Sequence, residues 1–573
     1  DGVASCKSFN PQNRVQDDGQ DGAWISQLTL GASPVPADFV SLAECAYFRV
    51  HSASNKFLFF AESMYFCIHS AINKFNIHCN SLIFIFFLLN ITPIMRNIPL
   101  IGRIAEKKIL DNALLSDQAE MIAVTGRRRI GKTFLVKSVY REKIDFEVTG
   151  IQHATRREQL RNFMLQIPQL SGGNVPQTEP RDWLEAFYYL ARFLEARKKT
   201  EKWIVFLDEL PWLATHKSGF LKGLGWFWNS WAVHQPVVVV ICGSAASWMI
   251  KHVVYNKGGL HNRITRRIYL DPFDLAETEL FLKAGNIHLD RYQILHLYMA
   301  MGGVPHYLQQ IEAGKSAAQN IDAICFSKNG LLQDEFPKLY ASLFETPDIH
   351  VRIIRTLAGK KMGMTRAEIV QISRIPDGGS LSTAIEELLH SGFISFSHPF
   401  GKKKKEGLYR LTDEYSLFYL QFMENYRQEG TGIWQQLSKT QAYISWAGYA
   451  FENICLKHLP QIKRALGISG ILTSASSFFR KGTSDREGIQ IDLLIDRNDH
   501  AINICEIKFY GAEITIDKAA AMAYRNKMAA FSEATHTHKQ LFLTLISTFG
   551  VRENQYSTGL LDASLTMEDL FEK

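Results

Sequence analysis

A glycine-rich turn that runs into a lysine and a threonine is the first feature of this sequence able to do chemistry. Its spacing is Gly126-x4-Gly131-Lys132-Thr133, and it follows the apolar run Met121–Thr125. Glycines placed in this way let backbone N–H groups close around a phosphate chain, and a helix that begins at the lysine adds a favourable dipole. Lys132 then reaches the β- and γ-phosphates of a nucleoside triphosphate as a catalytic group, and the Thr133 hydroxyl helps to hold Mg²⁺. The residues predicted to contact the nucleotide are Gly126, Arg127, Arg128, Arg129, Ile130, Gly131, Lys132, Thr133 and Phe134.

An acidic pair at the end of another apolar run supplies the second part of this chemistry. Asp208 and Glu209 follow Trp203–Leu207, about 75 residues after the loop. Asp208 is predicted to orient Mg²⁺, and Glu209 is predicted to polarise the water that attacks the γ-phosphate. A buried strand that simply ends in a charged turn would look similar, but the position downstream of a phosphate loop favours the catalytic interpretation.

Two further polar residues lie where a γ-phosphate could be sensed. Ser244 follows the uninterrupted apolar run Val237–Cys242, which is typical of a strand buried on both faces of a parallel sheet. Arg263 lies in a basic stretch after Gly258 and Gly259, and an arginine can neutralise charge that develops on a transferred phosphoryl group. A serine in a turn is also common as a cap, and a basic turn is often only solvated. Both roles are therefore hypotheses.

The elements that must position these groups can be traced along the chain. Trp183–Leu194 has the spacing of an amphipathic helix, with Asp182 as its N-cap. Residues 274–345 carry apolar side chains at three- and four-residue spacing, which predicts a helical lid.

Residues 346–412 have the pattern of a winged helix-turn-helix. Its three helices are predicted at Val351–Leu357, after a capping box of Thr365 and Glu368, and at Ser380–Leu389. The lysines at the tip of the following hairpin, residues 402–405, could contact the phosphate backbone of DNA or RNA. The third helix carries two glutamates and no arginine, which equally favours a role in docking a protein or a purely structural role.

The composition is that of an ordinary globular protein with several domains. The chain has 573 residues, of which 46% are hydrophobic and 21% charged, and its net charge of +7 permits nucleic-acid contact without requiring it. Its eight cysteines form no Cys-x-x-Cys pair, which argues against a disulfide framework or a zinc knuckle and favours a reducing cytoplasm. The apolar run Leu82–Leu89 is far shorter than the roughly 20 residues that a membrane span needs, so no stable span is expected.

The first 94 residues differ in character from the rest. They become rich in Phe, Ile and Asn between Lys56 and Ile94, without helical or strand periodicity. We interpret residues 1–94 as an atypical extension, with native translation starting at Met95. A genuine extension that packs poorly or associates with a membrane is the alternative, and peptides upstream of Met95 in natural protein would favour it.

The nucleotide motifs together resemble the archaeal-type ATPase family, a group of P-loop NTPases near the AAA+ and signalling-NTPase branches. The matching parts are Ile101-Gly102-Arg103, Gly126–Thr133, Leu207-Asp208-Glu209, Gly243-Ser244, Arg263 ahead of Asp271-Pro272-Phe273, and Gly302-Gly303-Val304-Pro305. The resemblance runs from about residue 95 to the C-terminus and implies ATP binding and hydrolysis with Mg²⁺. Many members have Leu-Tyr-Gly before the arginine, whereas His261 and Asn262 stand there in this sequence. Arg263 could therefore act within its own chain, on a neighbouring copy in an oligomer, or not at all.

Residues 413–573 carry a second resemblance. A helical pattern contains Glu452, a strand pattern contains Asp492, and the next strand pattern contains Glu506 and Lys508, which share a face because they lie two residues apart. This order resembles the restriction-endonuclease-like, PD-(D/E)xK, family, whose module is also the usual C-terminal partner of the archaeal-type ATPases. The resemblance implies that Asp492 and Glu506 bind Mg²⁺ with help from Glu452, and that Lys508 positions a catalytic water. A pair of amphipathic edge strands is the structural alternative.

The predicted fold class is multidomain α/β. A P-loop parallel sheet over residues 95–273 is followed by the lid, the winged helix-turn-helix and the restriction-endonuclease-like domain. One predicted function is a cytoplasmic ATPase coupled to a nucleic-acid-directed, nuclease-like domain. The alternative is a nucleotide-dependent switch or scaffold that binds a protein partner without cleavage.

Overall fold

The computed structural model describes residues 100–171, 179–197, 199–215, 217–244, 246–254, 260, 262–402, 406–426, 432–482 and 488–572. The predicted extension, residues 1–94, lies outside the described residues, and so do Gly258, Gly259, His261 and three lysines of the hairpin tip. No helix within the described ranges is long and apolar enough to cross a membrane. The four cysteines in these ranges, Cys242, Cys325, Cys455 and Cys505, are buried and free.

Helices and strands alternate up to residue 269, helices dominate to about residue 390, and strands return towards the end. The α-helices are α1 (Ile104–Leu115), α2 (Lys132–Tyr140), α3 (Arg156–Ser171), α4 (Trp183–Ala196), α5 (Leu210–Leu213), α6 (Phe220–Ser230), α7 (Ala246–Met249), α8 (Leu275–Ala284), α9 (Arg291–Met301), α10 (Pro305–Leu308), α11 (Ala317–Ile321), α12 (Glu335–Leu343), α13 (Pro347–Ala358), α14 (Arg366–Ser373), α15 (Gly379–His390), α16 (Glu414–Phe418), α17 (Ile433–Leu437), α18 (Gln441–Lys457), α19 (Leu459–Ala465), α20 (Lys518–Thr535) and α21 (Met567–Leu570). The strands are β1 (Glu120–Thr125), β2 (Phe146–Thr149), β3 (Trp203–Asp208), β4 (Val237–Gly243), β5 (Arg266–Tyr269), β6 (Ile394–Ser397), β7 (Leu408–Leu411), β8 (Thr473–Arg480), β9 (Ile489–Arg497), β10 (Ala501–Lys508), β11 (Ile514–Thr515), β12 (Gln540–Ser547), β13 (Val551–Arg552) and β14 (Ala563–Leu565). Shorter turns are of 3₁₀ type at Arg141–Lys143 and Ala232–His234, and of π type at Ile250–Val254, Asp322–Phe326 and Tyr419–Met423.

Five parallel strands form the sheet that carries the phosphate loop, in the order β2-β3-β4-β1-β5. β4 lies between β1, which leads into the loop, and β3, which ends in Asp208. Because the strands run in one direction, the loop and the ends of β3 and β4 meet at the carboxyl edge of the sheet, where open α/β sheets bind ligands. The topology therefore gathers the predicted nucleotide residues at one edge.

Both faces of the three central strands, β1, β3 and β4, are buried, as the apolar runs predict. Alternate strand residues enter two different clusters. Met121 and Val239 pack with α3, α4 and α6, while Ile122 and Val240 pack with α1 and α2. The predicted N-cap of α4 is confirmed, because the Asp182 carboxylate accepts a hydrogen bond from the Glu185 amide at 3.0 Å.

The helices that follow the sheet are anchored to it through a glycine pair. The Phe273 amide donates to the Gly303 carbonyl at 2.7 Å, and the Tyr298 hydroxyl donates to the Phe273 carbonyl at 2.8 Å. A Cβ atom on Gly303 would lie 1.9 Å from that same carbonyl oxygen, and Gly302 has a φ of 66°. Only glycine fits this close approach, so Gly302 and Gly303 fix the turn between α9 and α10 against the end of the sheet.

Three helices, α13 to α15, and the antiparallel hairpin β6–β7 occupy residues 347–411. The predicted capping box before α14 is confirmed, with the Glu368 carboxylate accepting from the Thr365 amide at 2.8 Å. At the described part of the hairpin tip, Lys402 pairs with Glu406 at 3.3 Å. The strands predicted from the sequence on both sides of this tip are β6 and β7.

A second five-stranded sheet forms the C-terminal part, in the order β14-β12-β10-β9-β8. β10 runs antiparallel to β9 and parallel to β12. α18 packs on one face of the sheet and α20 on the other. The strand patterns predicted around Asp492 and Glu506 are β9 and β10.

The predicted boundary between residues 412 and 413 does not coincide with a change in packing. α16 and its π turn pack on the predicted lid, because Tyr415 donates to the Leu332 carbonyl at 2.7 Å and the ring of Tyr419 stacks on Phe336 at 4.3 Å. One hydrophobic cluster extends from Phe273 to Phe571 and includes one face of the C-terminal sheet. Residues 414–423 therefore pack against residues of the predicted lid, which local periodicity cannot reveal.

His296 makes this shared core sensitive to acid. Its ring lies between Tyr292 and Tyr443, with Nδ1 3.2 Å from the Tyr443 hydroxyl, and burial lowers its pKa from 6.5 to about 4. The folded chain favours the neutral ring, so the stabilisation is complete above pH 6.5 and is lost as the pH falls towards 4. Between pH 7 and pH 4 we expect the free energy of unfolding, measured with denaturant, to fall by about 3 kcal/mol more in the wild type than in His296→Phe. An equal pH dependence in both proteins would contradict this assignment.

Candidate nucleotide-binding site

The loop between β1 and α2 has the backbone conformation that its glycines predict. Gly126 has a φ of 141° and Gly131 a φ of 89°. A Cβ atom on Gly126 would lie 2.4 Å from the Leu270 carbonyl, whereas one on Gly131 would have no neighbour closer than 4.0 Å. Gly126 thus lets β1 and β5 approach each other, and Gly131 leaves the backbone open at the start of α2. Arg129 also lies in the left-handed region, with a φ of 72°.

Lys132 is the first residue of α2 and is almost fully buried. Its Nζ donates to the Arg127 carbonyl at 2.7 Å, and this hydrogen bond links the two ends of the loop. Burial lowers the pKa of Lys132, and the Glu209 and Asp208 carboxylates oppose that shift. The ammonium group is therefore directed into the loop, as required for contact with phosphate oxygens.

The two residues predicted to hold Mg²⁺ at this edge are in direct contact. The Thr133 hydroxyl donates to Asp208 Oδ2 at 2.8 Å. A hydroxyl and a carboxylate are the hard oxygen ligands that Mg²⁺ prefers. This donor set fits the cation, and the site would hold it with Thr133 and Asp208.

Glu209 is held in a fixed orientation by Ser244. Glu209 has a φ of 46° directly after β3, and its Oε2 accepts hydrogen bonds from the Ser244 hydroxyl at 2.8 Å and the Ser244 amide at 3.2 Å. The predicted contact of Ser244 with phosphate is thus accompanied by a contact that the sequence did not indicate. Ser244 positions the carboxylate that is predicted to polarise water.

The three arginines of the loop each extend to a different element. Arg127 is buried and forms an ion pair with Asp413, which lies between β7 and α16. Arg129 pairs with Glu335 of α12 at 2.6 Å. Arg128 lies over the ring of Trp212 at 5.8 Å. Their side chains therefore contact other parts of the protein.

The pair of Arg127 and Asp413 is the more deeply buried of the two ion pairs. Burial alone would lower the pKa of Arg127 and raise that of Asp413, but each partner shifts the other in the opposite direction and keeps it charged. Removing one member of such a buried pair typically costs about 3–5 kcal/mol, because the other charge is left uncompensated. The phosphate loop is thus tied firmly to the segment that follows β7.

The segment ahead of α1 packs beside the loop. Arg103 stacks on Phe273 at 4.6 Å and donates to the Asp271 carbonyl at 2.6 Å, while its amide donates to Glu277 at 3.0 Å. Gly102 has a φ of 62°, and a Cβ atom there would lie 2.2 Å from Glu277 Oε1. These contacts join the leading segment to the end of β5 and to α8.

Arg263 lies at the opposite edge of the sheet from the loop. It precedes β5, whose Arg266 pairs with Ile122 near the start of β1, and the Thr265 amide donates to the Met121 carbonyl. The loop begins after Thr125, so the strand rise separates the two regions by roughly 15 Å. Arg263 is exposed at this edge, and its action on its own chain, on a neighbouring copy or not at all stays a prediction.

The four residues predicted for the C-terminal site converge. Lys508 Nζ lies 3.5 Å from Glu506 Oε2, as expected for residues on one face of β10. Burial would lower the pKa of Lys508, but Glu506 and Asp492 raise it above its usual value. Burial raises the pKa of Glu452, and the charge of Asp492 adds to the shift. The first half of β9, the end of β10 and one face of α18 thus bring these groups together.

Basic side chains of the chain itself hold two of these carboxylates. Arg410 of β7 donates to Glu452 at 2.6 Å, and Lys527 of α20 donates to Glu506. In the described part of the chain, no three His, Cys, Asp or Glu residues are placed to hold a metal ion. In this arrangement Arg410 and Lys527 neutralise the Glu452 and Glu506 carboxylates. The role of Glu452, Asp492 and Glu506 in binding Mg²⁺ stays a prediction.

Sequence reasoning missed Asp413, Glu335, Arg410 and Lys527. Each is an ordinary charged residue in its own neighbourhood, and each acquires its role from a partner far away in the chain. Arg127 and Asp413 are 286 positions apart, so no local spacing could have paired them.

Part of the chain is similar to known proteins. Residues 100–311 match a family described as an ATPase domain predominantly from Archaea. An uncharacterised protein of Methanocaldococcus jannaschii is 23% identical over 416 residues, which cover 71% of this chain and 87% of that protein. A Walker-type ATPase of Pyrococcus abyssi covers 56% of this chain and 96% of its own, with 18% identity and a TM-score of 0.43. The ORC2 protein of Aeropyrum pernix covers 60% of this chain and 98% of its own, with 16% identity and a TM-score of 0.36.

Proposed function

From the premise that residues 100–311 form an ATPase domain of this archaeal type, we propose that the chain hydrolyses ATP and uses the cycle to switch its C-terminal half. The observation that carries the proposal is the meeting of Lys132, Thr133, Asp208 and Glu209 at the carboxyl edge of the parallel sheet. These are the groups that phosphoryl transfer to water requires.

Each residue has a defined part in this reaction. The open backbone at Gly131 and the start of α2 bind the phosphates, and Lys132 neutralises charge on the β- and γ-phosphates. Glu209, fixed by Ser244, orients the attacking water and accepts its proton. Mg²⁺, when bound by Thr133 and Asp208, would neutralise charge that develops on the transferred group.

The direct experiment is steady-state release of phosphate from ATP by the purified chain in Mg²⁺ buffer. Phosphate release that saturates with ATP is the expected result. Release no faster than in buffer alone, by protein that is folded, would overturn the proposal.

The contacts of the loop support a switch rather than an isolated hydrolase. Arg127 and Arg129 connect it to Asp413 and Glu335, which belong to elements beyond the parallel sheet. We assign α13 to α15 and the β6–β7 hairpin to a winged helix-turn-helix that docks a partner, either DNA or RNA through the lysines of its tip or a protein.

A second candidate function is cleavage of a nucleic-acid phosphodiester by the C-terminal domain. The convergence of Glu452, Asp492, Glu506 and Lys508 favours it, because two or more carboxylates beside a lysine are costly to gather unless they are used. In this restriction-endonuclease-like arrangement, Arg410 and Lys527 would have to release their carboxylates before cleavage.

Asp492 is the residue on which this second function can be tested. Its carboxylate accepts a hydrogen bond from the side chain of Gln490 at 3.1 Å. We expect Asp492→Ala to reduce any Mg²⁺-dependent cleavage of DNA or RNA at least about 100-fold while ATP hydrolysis continues. Lys539→Ala, which removes a lysine paired with Asp496 on the same strand, is the matched control. If neither the wild type nor the control cleaves DNA or RNA, with or without ATP, the cleavage function is contradicted and the switch is the only candidate function left.

A further inference from the structure

Residues 410–414, called here the 410–414 segment, lie between the phosphate loop and the C-terminal carboxylates. The segment comprises the last two residues of β7, then Thr412, the N-cap residue of α16 and the first residue of that helix. It is buried: its charged members, Arg410, Asp413 and Glu414, are 9%, 1% and 4% exposed. Its contacts point in two directions.

One direction leads to the phosphate loop. Asp413 pairs with Arg127, and its other oxygen accepts from the Ser416 amide at 2.8 Å, so it both binds the loop and starts α16. The Arg127 carbonyl accepts from Lys132 Nζ at 2.7 Å. The lysine that would bind phosphate is therefore two contacts away from Asp413.

The other direction leads to α18. Arg410 donates to Glu452 at 2.6 Å, and Lys457 donates to Glu414 at 2.6 Å. Between these two contacts, the Tyr449 hydroxyl and the side-chain amide of Asn453 donate to the Leu411 carbonyl at 3.1 and 3.3 Å. Glu452, Asn453 and Lys457 come three, four and eight positions after Tyr449, so all four residues lie on one face of α18. The segment is thus bonded at Arg410, Leu411 and Glu414 to the helix that carries Glu452.

We propose that the 410–414 segment transmits the state of the phosphate loop to Glu452, through the contacts Lys132–Arg127, Arg127–Asp413 and Arg410–Glu452. The inference rests on the proposed function, since it names the element that the ATP cycle switches. A phosphate chain that attracts Lys132 weakens its hydrogen bond to the Arg127 carbonyl. Arg127 then shifts, and because its guanidinium is buried and paired with Asp413, Asp413 shifts with it. This movement of the 410–414 segment changes the position of Arg410. The hydrogen bond from Arg410 to the Glu452 carboxylate changes as a result.

The physical reason for transmission is the absence of solvent around these contacts. Buried ionic contacts have few alternative partners, so a displacement of one member is not absorbed by water. By contrast, Arg355 pairs with Glu424 at a half-exposed position on the neighbouring helix α13, where water can replace either partner. Arg355 thus provides a control for loss of a nearby charge outside the proposed route.

The test is hydrogen–deuterium exchange of the full chain with and without Mg²⁺ and a non-hydrolysable ATP analogue. In the wild type we expect the analogue to change exchange at the loop, across residues 408–418 and across residues 445–458. Asp413→Asn keeps a good N-cap for α16 but removes the charge that binds Arg127. It should bind the analogue, respond at the loop, and lose at least about two thirds of the response at residues 445–458.

Two more variants show at which contact transmission stops and control for misfolding. Arg410→Gln should retain the response at residues 408–418 and lose most of it at 445–458, whereas Arg355→Gln should retain both. Analogue binding without any response at 445–458 in the wild type would overturn the inference alone, as would a full response in both Asp413→Asn and Arg410→Gln. Failure of the folded wild type to bind the analogue would overturn the proposed function and the inference together.

Discussion

The Lys132→Ala variant is expected to release phosphate from ATP at least about 100-fold more slowly than the wild type. Its Nζ is the buried cation at the start of α2, and a single group that stabilises charge in a transition state is commonly worth a factor of about 10²–10³. Because the same ammonium group contributes to binding, the affinity for ATP should fall as well. Phosphate release and equilibrium binding of a fluorescent ATP analogue measure the two effects.

Glu209→Gln separates chemistry from binding at the same site. The amide can still accept from Ser244, but it cannot accept a proton from water. Hydrolysis should fall by a similar factor while binding of the analogue stays close to the wild-type value. Lys137→Ala is the matched control, since Lys137 lies one turn further along α2 and pairs with Glu147 at a half-exposed position. A wild-type rate of hydrolysis in Lys132→Ala would show that the site is misassigned.

Gly303→Ala is expected to destabilise the chain by about 3 kcal/mol or more, a size associated with steric conflict at a constrained backbone. The added Cβ would lie 1.9 Å from the Phe273 carbonyl oxygen. That carbonyl cannot move away freely, because the Tyr298 hydroxyl donates to it and the Phe273 amide donates to the Gly303 carbonyl. Denaturant unfolding followed by circular dichroism measures the change.

Gly379→Ala is the control for this substitution. Gly379 is the first residue of α15, and a Cβ atom there would have no neighbour within 4 Å. Alanine favours a helix over glycine by up to about 1 kcal/mol, so this variant should be neutral or slightly more stable. Equal stability of both variants would contradict the close approach at Gly303.

The parts of the site that the sequence could predict are those set by neighbouring residues. The loop, the N-cap of α4, the capping box of α14 and the buried strands all follow from spacings of a few positions. The contact of Thr133 with Asp208 was also expected, because parallel strands bring their carboxyl ends to one edge.

The remainder depends on packing between distant parts of the chain. Nothing near Arg127 indicates Asp413, and nothing near Glu452 indicates Arg410. Charged residues of this kind look like solvated surface in sequence, and only burial distinguishes them. The position of Arg263 at the edge of the sheet away from the loop likewise depends on how β5 pairs with β1, which no local spacing reveals.

The hydrophobic cluster that extends from Phe273 to Phe571 has a practical consequence for dissecting this chain. Within the described residues it crosses each of the borders that the sequence suggested after residue 273. A fragment excised at residue 413 would lose the lid surface that covers Tyr415 and Tyr419, and it would present that apolar area to water. Such fragments are poor reagents for isolating an activity, because aggregation would compete with folding from the start.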